Sequence, residues 1–396
     1  MSHGIFASMN LQGISRSPRT YRIATTIFFF ISGFGYSTWA SRIPAFKQML
    51  NLNDKDLGYL LLAAPIGVLI TVPFTGKLLG IYSSKSITLF GAIFYNIVLL
   101  LLAFATQTWH LAVILFLFGS SRNLLNLSMN AQAAEIQSLY GKSIMTSFHG
   151  LWSMAGFAGA AVGYFFTTLI ASTKASLYYH FLSVSIVLMV MSLFCYPYLF
   201  YKQHQAQPKK PLFSLPDRHL LKFSLIAFAS MACENVMYDW SGIYFQKVIG
   251  AAKGAATAAF VVYMIAMTSG RLAGDKVVNK VGIIPILKWS GLLIASGLLI
   301  AVLLPYNVTA LLGFVMTGFG VSCIVPLVFS LAGQSTKTSS GTAIASVSTI
   351  GYFGFLAVPP SVGFIAQQAG LQWSFGIISL FGLAIFLLVL TIRQST

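Results

Sequence analysis

The seven residues from Glu234 to Trp240 form a polar stretch inside a long apolar segment bounded by Lys222 and Lys247. Glu234 lies near the middle of that segment, where a carboxylate is costly in hydrocarbon and needs a partner or a water-filled cavity. It is the most deeply placed of the seven acidic residues in the chain. Glu234 is therefore the first candidate for holding a proton or a charged ligand within a membrane.

Asp239 follows Glu234 by five residues, so in a helix its side chain points about 140° away from that of Glu234. It shares a helix face with Asn235 and lies closer to the end of the segment. We expect Asp239 to pair with Lys247 or Arg42, or to gate that mouth of the protein. A simple polar contact at the helix end is the alternative.

A second polar stripe consists of Arg122, Asn126 and Asn130, whose i, i+4, i+8 spacing places them on one face of an otherwise apolar helix. Arg122 is midway between His110 and Glu135, so it is also expected near the centre of the bilayer. A cation at that depth is expected to face a partner or a polar cavity rather than lipid.

Aromatic residues lie close to these polar groups in the sequence. Tyr36, Trp39, Trp240 and Tyr244 could stack on a ligand. Aromatic residues near membrane interfaces usually belong to the interfacial belt, however. Both interpretations stay open for each of them.

Glu135 and His149 form another candidate pair. They are about equally far from the turn expected at Tyr140 to Lys142, so an antiparallel helix hairpin would bring them to the same depth. Because histidine titrates near pH 6.5, the pair could relay protons. A structural hydrogen bond between the two helices is the alternative.

The composition excludes a soluble domain. Of the 396 residues, 57% are hydrophobic and 8% are charged, whereas soluble domains carry about 25% charged residues. The net charge of +17 comes from 24 Lys and Arg against 7 Asp and Glu. These cations are spread along the expected helix ends, which indicates contact with a lipid bilayer and not with nucleic acid.

No cofactor, metal site or disulfide is expected. Cys195, Cys233 and Cys323 all fall in apolar segments, without a CxxC spacing. The first 18 residues lack the short apolar core and cleavage site of a signal peptide, so residues 1–18 are expected to form a cytoplasmic tail.

The apolar stretches predict an all-α membrane protein with twelve transmembrane helices, because about 20 residues are needed to cross the bilayer. A polar linker at 201–218 separates a six-helix bundle at 19–200 from a second one at 219–396. The predicted spans are 20–41, 57–79, 86–105, 110–136, 144–170, 177–200, 219–247, 255–274, 284–304, 308–332, 342–366 and 372–392.

The distribution of Lys and Arg predicts the orientation. Most of these residues fall on one side if both termini are cytoplasmic, which is the side that the positive-inside rule requires. The loop expected from Arg42 to Asp56, on the opposite side, is more charged than usual. We therefore expect a multi-pass protein of the cytoplasmic (inner) membrane.

The two halves also resemble each other. Trp39 and Trp240, and Gly91 and Gly291, are 201 and 200 residues apart. A sustained offset close to half the chain length favours two parallel six-helix repeats, an arrangement found in one large transporter fold.

Several motifs give the chain a specific resemblance. The stretch from Gly270 to Gly282, which is expected to form a loop after the eighth helix, resembles the conserved cytoplasmic loop of the major facilitator superfamily. Four further stretches resemble the MosC-like branch of that superfamily, a relative of the fucose permeases. They are Met129–Ala133, Ser147–Gly150, Glu234–Trp240, and Gly351–Leu356 together with Pro359–Phe364.

The resemblance implies that the first, fourth, seventh and tenth helices line a central cavity, so that Arg122 and Glu234 would face the same space. Three interpretations follow. The two could form a salt bridge that breaks and re-forms as the halves move. Arg122 could bind an anionic or polar substrate while Glu234 takes a proton, since a carboxylate that loses its cation binds protons more readily. They could also form a permanent buried ion pair.

The resemblance further implies that Arg271, Asp275 and Lys276 latch the cytoplasmic side through contacts to a neighbouring helix end. The chain departs from the family pattern at Gly80 and Asn126, where acidic residues are expected. The second departure shifts the coupling role toward Glu234.

These observations together predict a monomeric, proton-coupled secondary transporter, a symporter of a small polar solute resembling a sugar or cyclitol, working by alternating access. An exporter of amphiphilic, drug-like or siderophore-like compounds is an alternative, and a membrane receptor or scaffold without transport is another. An enzyme is not expected, because the sequence contains no Walker loop, no metal-binding motif and no catalytic constellation at a single depth.

Overall fold

A computed structural model of the protein describes residues 16–140, 144–201, 218–333 and 340–392, and within these ranges the chain contains helices and no strand. Most of the predicted tail at 1–18 and of the predicted linker at 201–218 lies outside the described residues. The α-helices are α1 (Pro18–Ala40), α2 (Ile43–Met49), α3 (Asp54–Leu61), α4 (Ala63–Ile81), α5 (Ser84–Leu101), α6 (Thr108–Gln137), α7 (Met145–Leu169), α8 (Thr173–Cys195), α9 (Arg218–Lys247), α10 (Lys253–Val281), α11 (Ile283–Leu303), α12 (Asn307–Ser322), α13 (Ile324–Gly333), α14 (Ser340–Ala369) and α15 (Leu371–Leu390).

The helices confirm the predicted all-α membrane architecture. Eleven segments of the described chain are long and apolar enough to cross a bilayer, and α7, with 25 residues, occupies the position predicted for the fifth span. Three spans consist of two helices each, namely α1 with α2, α3 with α4, and α12 with α13. We call the side on which α1 begins and α15 ends the terminal side, and the opposite side the far side.

Prolines account for two of the breaks within spans. A proline lacks the N–H that would bond to the carbonyl four residues earlier, and its ring collides with that carbonyl. Pro65 lies three residues after the break at Leu62, between α3 and α4, and Pro326 lies three residues after the break at Cys323, between α12 and α13. Pro73, Pro359 and Pro360, in contrast, lie inside continuous helices.

Two predicted loops are wrong because the chain is helical there. The segment from Arg42 to Asp56 contains α2 and the start of α3. The segment from Gly270 to Gly282 continues α10 as far as Val281. That helix ends where Gly282 adopts a φ of +88°, a conformation that glycine favours.

The two halves each form a six-helix bundle. In the first half, α1 packs against α7, and α6 against α4 and α5; in the second half, α9 packs against α14 and α15, and α11 against α12 and α15. Gly159 in α7 faces the backbone carbonyl of Phe34 in α1, and its lack of a side chain allows the two helices to approach closely. The halves meet along two main seams, α7 against α10 and α3 against α14.

Candidate functional site

Glu234 forms an ion pair within the second half. Its Oε1 atom lies 3.1 Å from Nη2 of Arg271, which comes from α10. Glu234 is 7% exposed, so the pair largely replaces the water that the carboxylate loses on burial. In this state Glu234 is thus paired with Arg271 and not with Arg122.

The guanidinium of Arg271 also connects the two halves. Its Nη1 donates to Oγ of Ser153 in α7, at 2.8 Å, and its Nε donates to the backbone oxygen of Ser322 in α12, at 3.2 Å. Thr268, one turn earlier in α10, donates to the backbone oxygen of Ser153 at 3.1 Å. One cation thus joins the Glu234 carboxylate to the seam between α7 and α10.

Arg122 has a different environment. Its guanidinium carbon lies 4.0 Å from the centroid of the Tyr36 ring in α1, a cation–π contact. Within the described part of the chain, the structure gives this guanidinium no hydrogen-bond acceptor and no ion pair. Arg122 is half-buried, so its donors are left for water or a ligand.

The stripe predicted on α6 borders a partly accessible space near α14 of the other half. Asn126 and Asn130 are half-buried like Arg122, and Asn130 Nδ2 donates to Oδ1 of Asn126 at 3.0 Å. Across from them, Tyr352 in α14 interacts electrostatically with Arg122 and is 52% exposed. Accessible side chains from α6 and α14 therefore face each other near the middle of the membrane.

Asp239 lies in α9 near this space. It is 8% exposed, and its carboxylate interacts with the amide of Asn235, one helical turn earlier. It also interacts electrostatically with Arg122, without direct ion-pair contact. The shared face with Asn235 is confirmed.

The partners predicted for Asp239 are wrong because both cations are bound elsewhere. Lys247 contacts Asp54. Arg42 donates from Nη1 to the backbone oxygen of Gly163 at 3.2 Å, and from Nη2 to Ser176 Oγ at 2.6 Å. It also contacts Thr167. Arg42 therefore ties the corner between α1 and α2 to α7 and α8.

The aromatic candidates divide into two groups. Trp39 packs against Phe46 and Phe118 in the core, and Trp240 is fully buried. Tyr36 instead contacts Tyr238 of the other half, with ring centroids 5.0 Å apart. Only Tyr36 among the predicted aromatic ligands touches the Arg122 site, and the substrate role of the tryptophans stays a prediction.

Buried polar atoms without a partner are concentrated in α9. Within the described residues, thirteen buried side-chain atoms have no hydrogen-bond partner, and five of them belong to α9, whereas α1 and α8 have three each. The five are Ser230 Oγ, Asn235 Oδ1, Tyr238 Oη, Trp240 Nε1 and Ser241 Oγ. Buried polar groups are normally paired, and each exception calls for an explanation such as an unplaced water or a ligand. Their position beside the interface of the halves indicates a polar binding region.

Glu135 and His149 use different partners. Oε2 of Glu135 accepts from Ser84 Oγ at 2.7 Å and from Gln132 Nε2 at 3.3 Å. The ring of His149 packs edge-on against Phe29, with centroids 5.3 Å apart. A direct relay between Glu135 and His149 stays a prediction.

His149 is nevertheless linked to the Arg271 network. It is exposed and interacts electrostatically with Arg271. Its backbone oxygen also accepts from Ser153 Oγ at 3.2 Å, the same hydroxyl that binds Arg271. Of the other predicted gating residues, Lys276 is exposed on α10, and the side chain of Asp275 lies outside the described residues.

The far side is held closed by charged groups that were not predicted. Asp54, at the start of α3, contacts Lys47 through Oδ1 and lies 2.7 Å from Nζ of Lys247 through Oδ2. Lys47 belongs to the first half and Lys247 to the second, so only the second contact crosses the interface. Nearby, Gln48 Nε2 donates across the same interface to Gln246 Oε1 at 3.1 Å.

Two glycines bring α3 and α14 into backbone contact at this end. A Cβ at Gly58 would collide with the backbone oxygen of Pro359, and a Cβ at Gly363 would collide with the backbone oxygen of Asp54. This contact and the Asp54–Lys247 pair join the two halves at the far side.

Comparisons with known proteins agree with this architecture. A family model described as Major Facilitator Superfamily matches residues 25–357. An uncharacterised MFS-type transporter of Yersinia pestis is 32% identical over 374 residues, covering 94% of each chain. The membrane protein MosC of Rhizobium meliloti is 27% identical over 352 residues, covering 88% of this chain and 84% of the relative.

Solved structures show the same fold at low sequence identity. The fucose:proton symporter of E. coli superposes with a TM-score of 0.65 at 17% identity, over 96% of this chain and 100% of the other. The xylose transporter XylE of E. coli superposes with a TM-score of 0.74 at 13% identity, over the same shares of the two chains.

Proposed function

Since the chain belongs to the Major Facilitator Superfamily, we propose that it moves a small polar solute across the cytoplasmic membrane by alternating access, as a proton-coupled symporter. It acts as a monomer with both termini in the cytoplasm, so that the terminal side is cytoplasmic. The sugar-like or cyclitol-like character of the solute is supported by the fucose and xylose transporters that share the fold.

The observation that carries this proposal is the polar region where the halves meet. Arg122 contributes donors without an acceptor, and Asn235 and Tyr238 contribute buried polar atoms without a partner. A solute with several hydroxyl groups supplies both donors and acceptors to such a region. The exposed ring of Tyr352 suits the apolar face of a sugar ring.

Alternating access follows from the unequal contacts at the two ends. With the far side closed by α3 against α14 and by Asp54 with Lys247, solute reaches Arg122 from the terminal side. The opposite state requires that these contacts separate while α6 and α14 close. Arg271 binds both Glu234 and, across the α7–α10 seam, Ser153. A change in the protonation of Glu234 would therefore alter a contact between the two halves.

Proton coupling is proposed for a carboxylate of α9, and the helix carries two. Protonation of Glu234 would release Arg271, with His149 giving access to that network from the terminal side. Protonation of Asp239 would change the field at Arg122. Glu135, held by Ser84 and Gln132, is the least favoured of the predicted proton carriers.

The test uses the full chain in lipid vesicles. Thermal stabilisation across a panel of sugars, cyclitols and their acids identifies a binder, and its uptake is then followed with and without an imposed pH gradient. Accumulation driven by protons moving inward supports the proposal. A binder that never crosses the membrane would instead favour a receptor.

The same assay separates the two carboxylates. The variants Glu234→Gln and Asp239→Asn each remove one titrating group while keeping its approximate shape. The carboxylate that couples protons is the one whose variant loses gradient-driven uptake but keeps counterflow exchange of solute. If driven uptake survives in both variants, α9 does not carry the coupling proton.

A further inference from the structure

We propose that the transported solute carries one negative charge, that Arg122 binds its anionic oxygens, and that Asp239 takes up the accompanying proton. This inference rests on the proposed transport function and specifies its substrate class. It makes the transport cycle electroneutral, with one anion and one proton moving together.

The first step of the reasoning concerns Arg122. A guanidinium presents several donors in a rigid fork that matches the two oxygens of a carboxylate. One face of the Arg122 guanidinium is covered by the Tyr36 ring, at 4.0 Å. No acceptor within the described chain binds the N–H donors of this guanidinium. A neutral sugar needs no such group, whereas an unused cation near the middle of a membrane is costly unless a ligand binds it.

The second step compares Arg122 with other buried or half-buried cations of the chain. Arg271 is neutralised by Glu234, and Lys47 by Asp54. Arg42 is surrounded by hydroxyl and carbonyl oxygens. Arg122 differs from all of these because it is half-buried beside the partly accessible space and its donors are free.

The third step concerns the charge balance of the empty site. Arg122 and an ionised Asp239 together would carry no net charge. A monoanion bound to Arg122 would leave one uncompensated negative charge. Two like charges in a buried site repel each other more strongly than in water, because the local dielectric constant is lower. Protonation of Asp239 removes that repulsion, so anion and proton favour each other's binding.

Among the described residues, few ionisable groups lie close enough to Asp239 to act on its proton. The groups that act on Asp239 are Arg122 from α6, Asn235 from α9 itself, and Tyr36 from α1. The neighbouring helices α12, α13 and α15 contain no charged residue. Tyr352 from α14 acts on Arg122.

Two charged residues in the remaining neighbours of α9 are bound to carboxylates other than Asp239. Arg271 of α10 contacts Glu234, and Lys47 of α2 contacts Asp54. Asp239 is thus the carboxylate available to compensate a second anion beside Arg122.

The experiment uses matched pairs of neutral and acidic sugars: D-galactose with D-galacturonate, D-glucose with D-glucuronate, and D-glucitol with D-gluconate. Binding is measured by thermal stabilisation of the purified full chain. We expect at least one acid to bind at least tenfold more tightly than its neutral counterpart, and more weakly as the pH rises. Arg122→Gln should weaken acid binding by at least 100-fold, whereas Lys77→Gln, which removes an exposed cation of α4, should not change it.

Two further readouts keep a folding defect apart from a binding defect. Arg122→Lys keeps the charge but loses the planar fork, so it should bind the acid with intermediate affinity. Asp239→Asn should bind the acid with little dependence on pH. In vesicles, uptake of the acid should follow the pH gradient and stay unchanged when a membrane potential is imposed.

Failure of this inference can be distinguished from failure of the proposed function. If the neutral sugars bind as tightly as the acids and accumulate under a pH gradient, the transport function stands and the anion assignment is overturned. It is also overturned if no acid of the panel binds, or if Arg122→Gln binds the acid normally. If an acid binds but is never transported, the proposed function fails while the binding site stands.

Discussion

Replacing Gly58 by alanine should open the far side of the protein. The Cβ of alanine would collide with the backbone oxygen of Pro359 and the Cα of Gly363, both in α14. Backbone atoms of a helix cannot move aside as a side-chain end can. The strain exists only while α3 and α14 are in contact, so the variant disfavours the closed far side and not the opposite state.

The size of the effect follows from the packing. An added methyl group in a tightly packed contact typically costs about 1–3 kcal/mol. Because about 1.4 kcal/mol changes an equilibrium tenfold, the balance should move roughly 5- to 150-fold toward the state in which the far side is open. Gly80→Ala is the matched control, because a Cβ at Gly80 meets no atom within 4 Å.

The assay is crosslinking between Gln48→Cys and Gln246→Cys, whose native side chains hydrogen-bond across the closed far side at 3.1 Å. A protease site in the linker at 201–218 lets the crosslinked halves be detected, since they stay joined after cleavage. Gly58→Ala should lower the yield of a short thiol crosslinker, and Gly80→Ala should not. Equal yields in the two variants, with both proteins folded, would refute the reasoning.

Three further predictions concern the charged groups. Glu234→Gln should lower the melting temperature of the purified protein, because Arg271 loses its carboxylate and removing one partner of a buried ion pair costs about 3–5 kcal/mol. The double variant Glu234→Gln with Arg271→Met should be more stable than Glu234→Gln alone. Equal or lower stability of the double variant would contradict the pairing. Lys247→Gln should change the melting temperature little, because its side chain is 49% exposed and such pairs contribute about 0.2–1 kcal/mol. Asp54→Asn should destabilise the protein much more than Lys247→Gln, because it leaves the buried Lys47 without its carboxylate. Comparable melting temperatures for these two variants would show that the Lys47–Asp54 pair does not contribute to stability.

The membrane architecture could be predicted because it depends on local properties of the sequence. The length of each apolar run determines whether it crosses the bilayer, and proline marks where the backbone ladder is interrupted. The breaks near Pro65 and Pro326 follow directly from this rule. The small residues of α7 were also informative, because Gly159 permits the contact with α1 that its spacing indicates.

The partner of Glu234 was not predicted, because Arg271 was assigned to the cytoplasmic latch and not to the interior of the bundle. The stretch after Gly270 resembles a family loop motif, and this resemblance placed Arg271 outside the membrane. The sequence contains no proline between Gly270 and Gly282, which is the signal that could have indicated a continuing helix. Once α10 extends to Val281, Arg271 lies on a rigid helix and reaches the carboxylate.

The far-side closure was missed for a different reason. Asp54 and Lys247 are separated by 193 residues, and their contact requires the two halves to meet in one particular state. A charged segment that is exposed to solvent and a charged segment at an interface have similar amino-acid compositions, so composition does not distinguish them. Only the packing of Gly58 and Gly363 at the same end identifies this segment as an interface.

The repeated glycines show what an internal offset can and cannot predict. The offset near 200 residues correctly indicated two similar halves, but Gly91 packs against Leu125 in α6 whereas Gly291 packs against Phe386 in α15. These neighbours occupy different places in the two bundles. The offset therefore indicated the repeat without identifying equivalent residues.

Proton-driven accumulation by the purified protein in lipid vesicles is the most direct test of the central claim. Vesicles loaded at a higher internal pH should take up a stabilising solute to a concentration above that outside, and an agent that collapses the pH gradient should release it. Asp239→Asn should still exchange solute but bring it only to equal concentrations. If the wild-type protein only equilibrates the solute, whatever the gradient, transport is not coupled to protons.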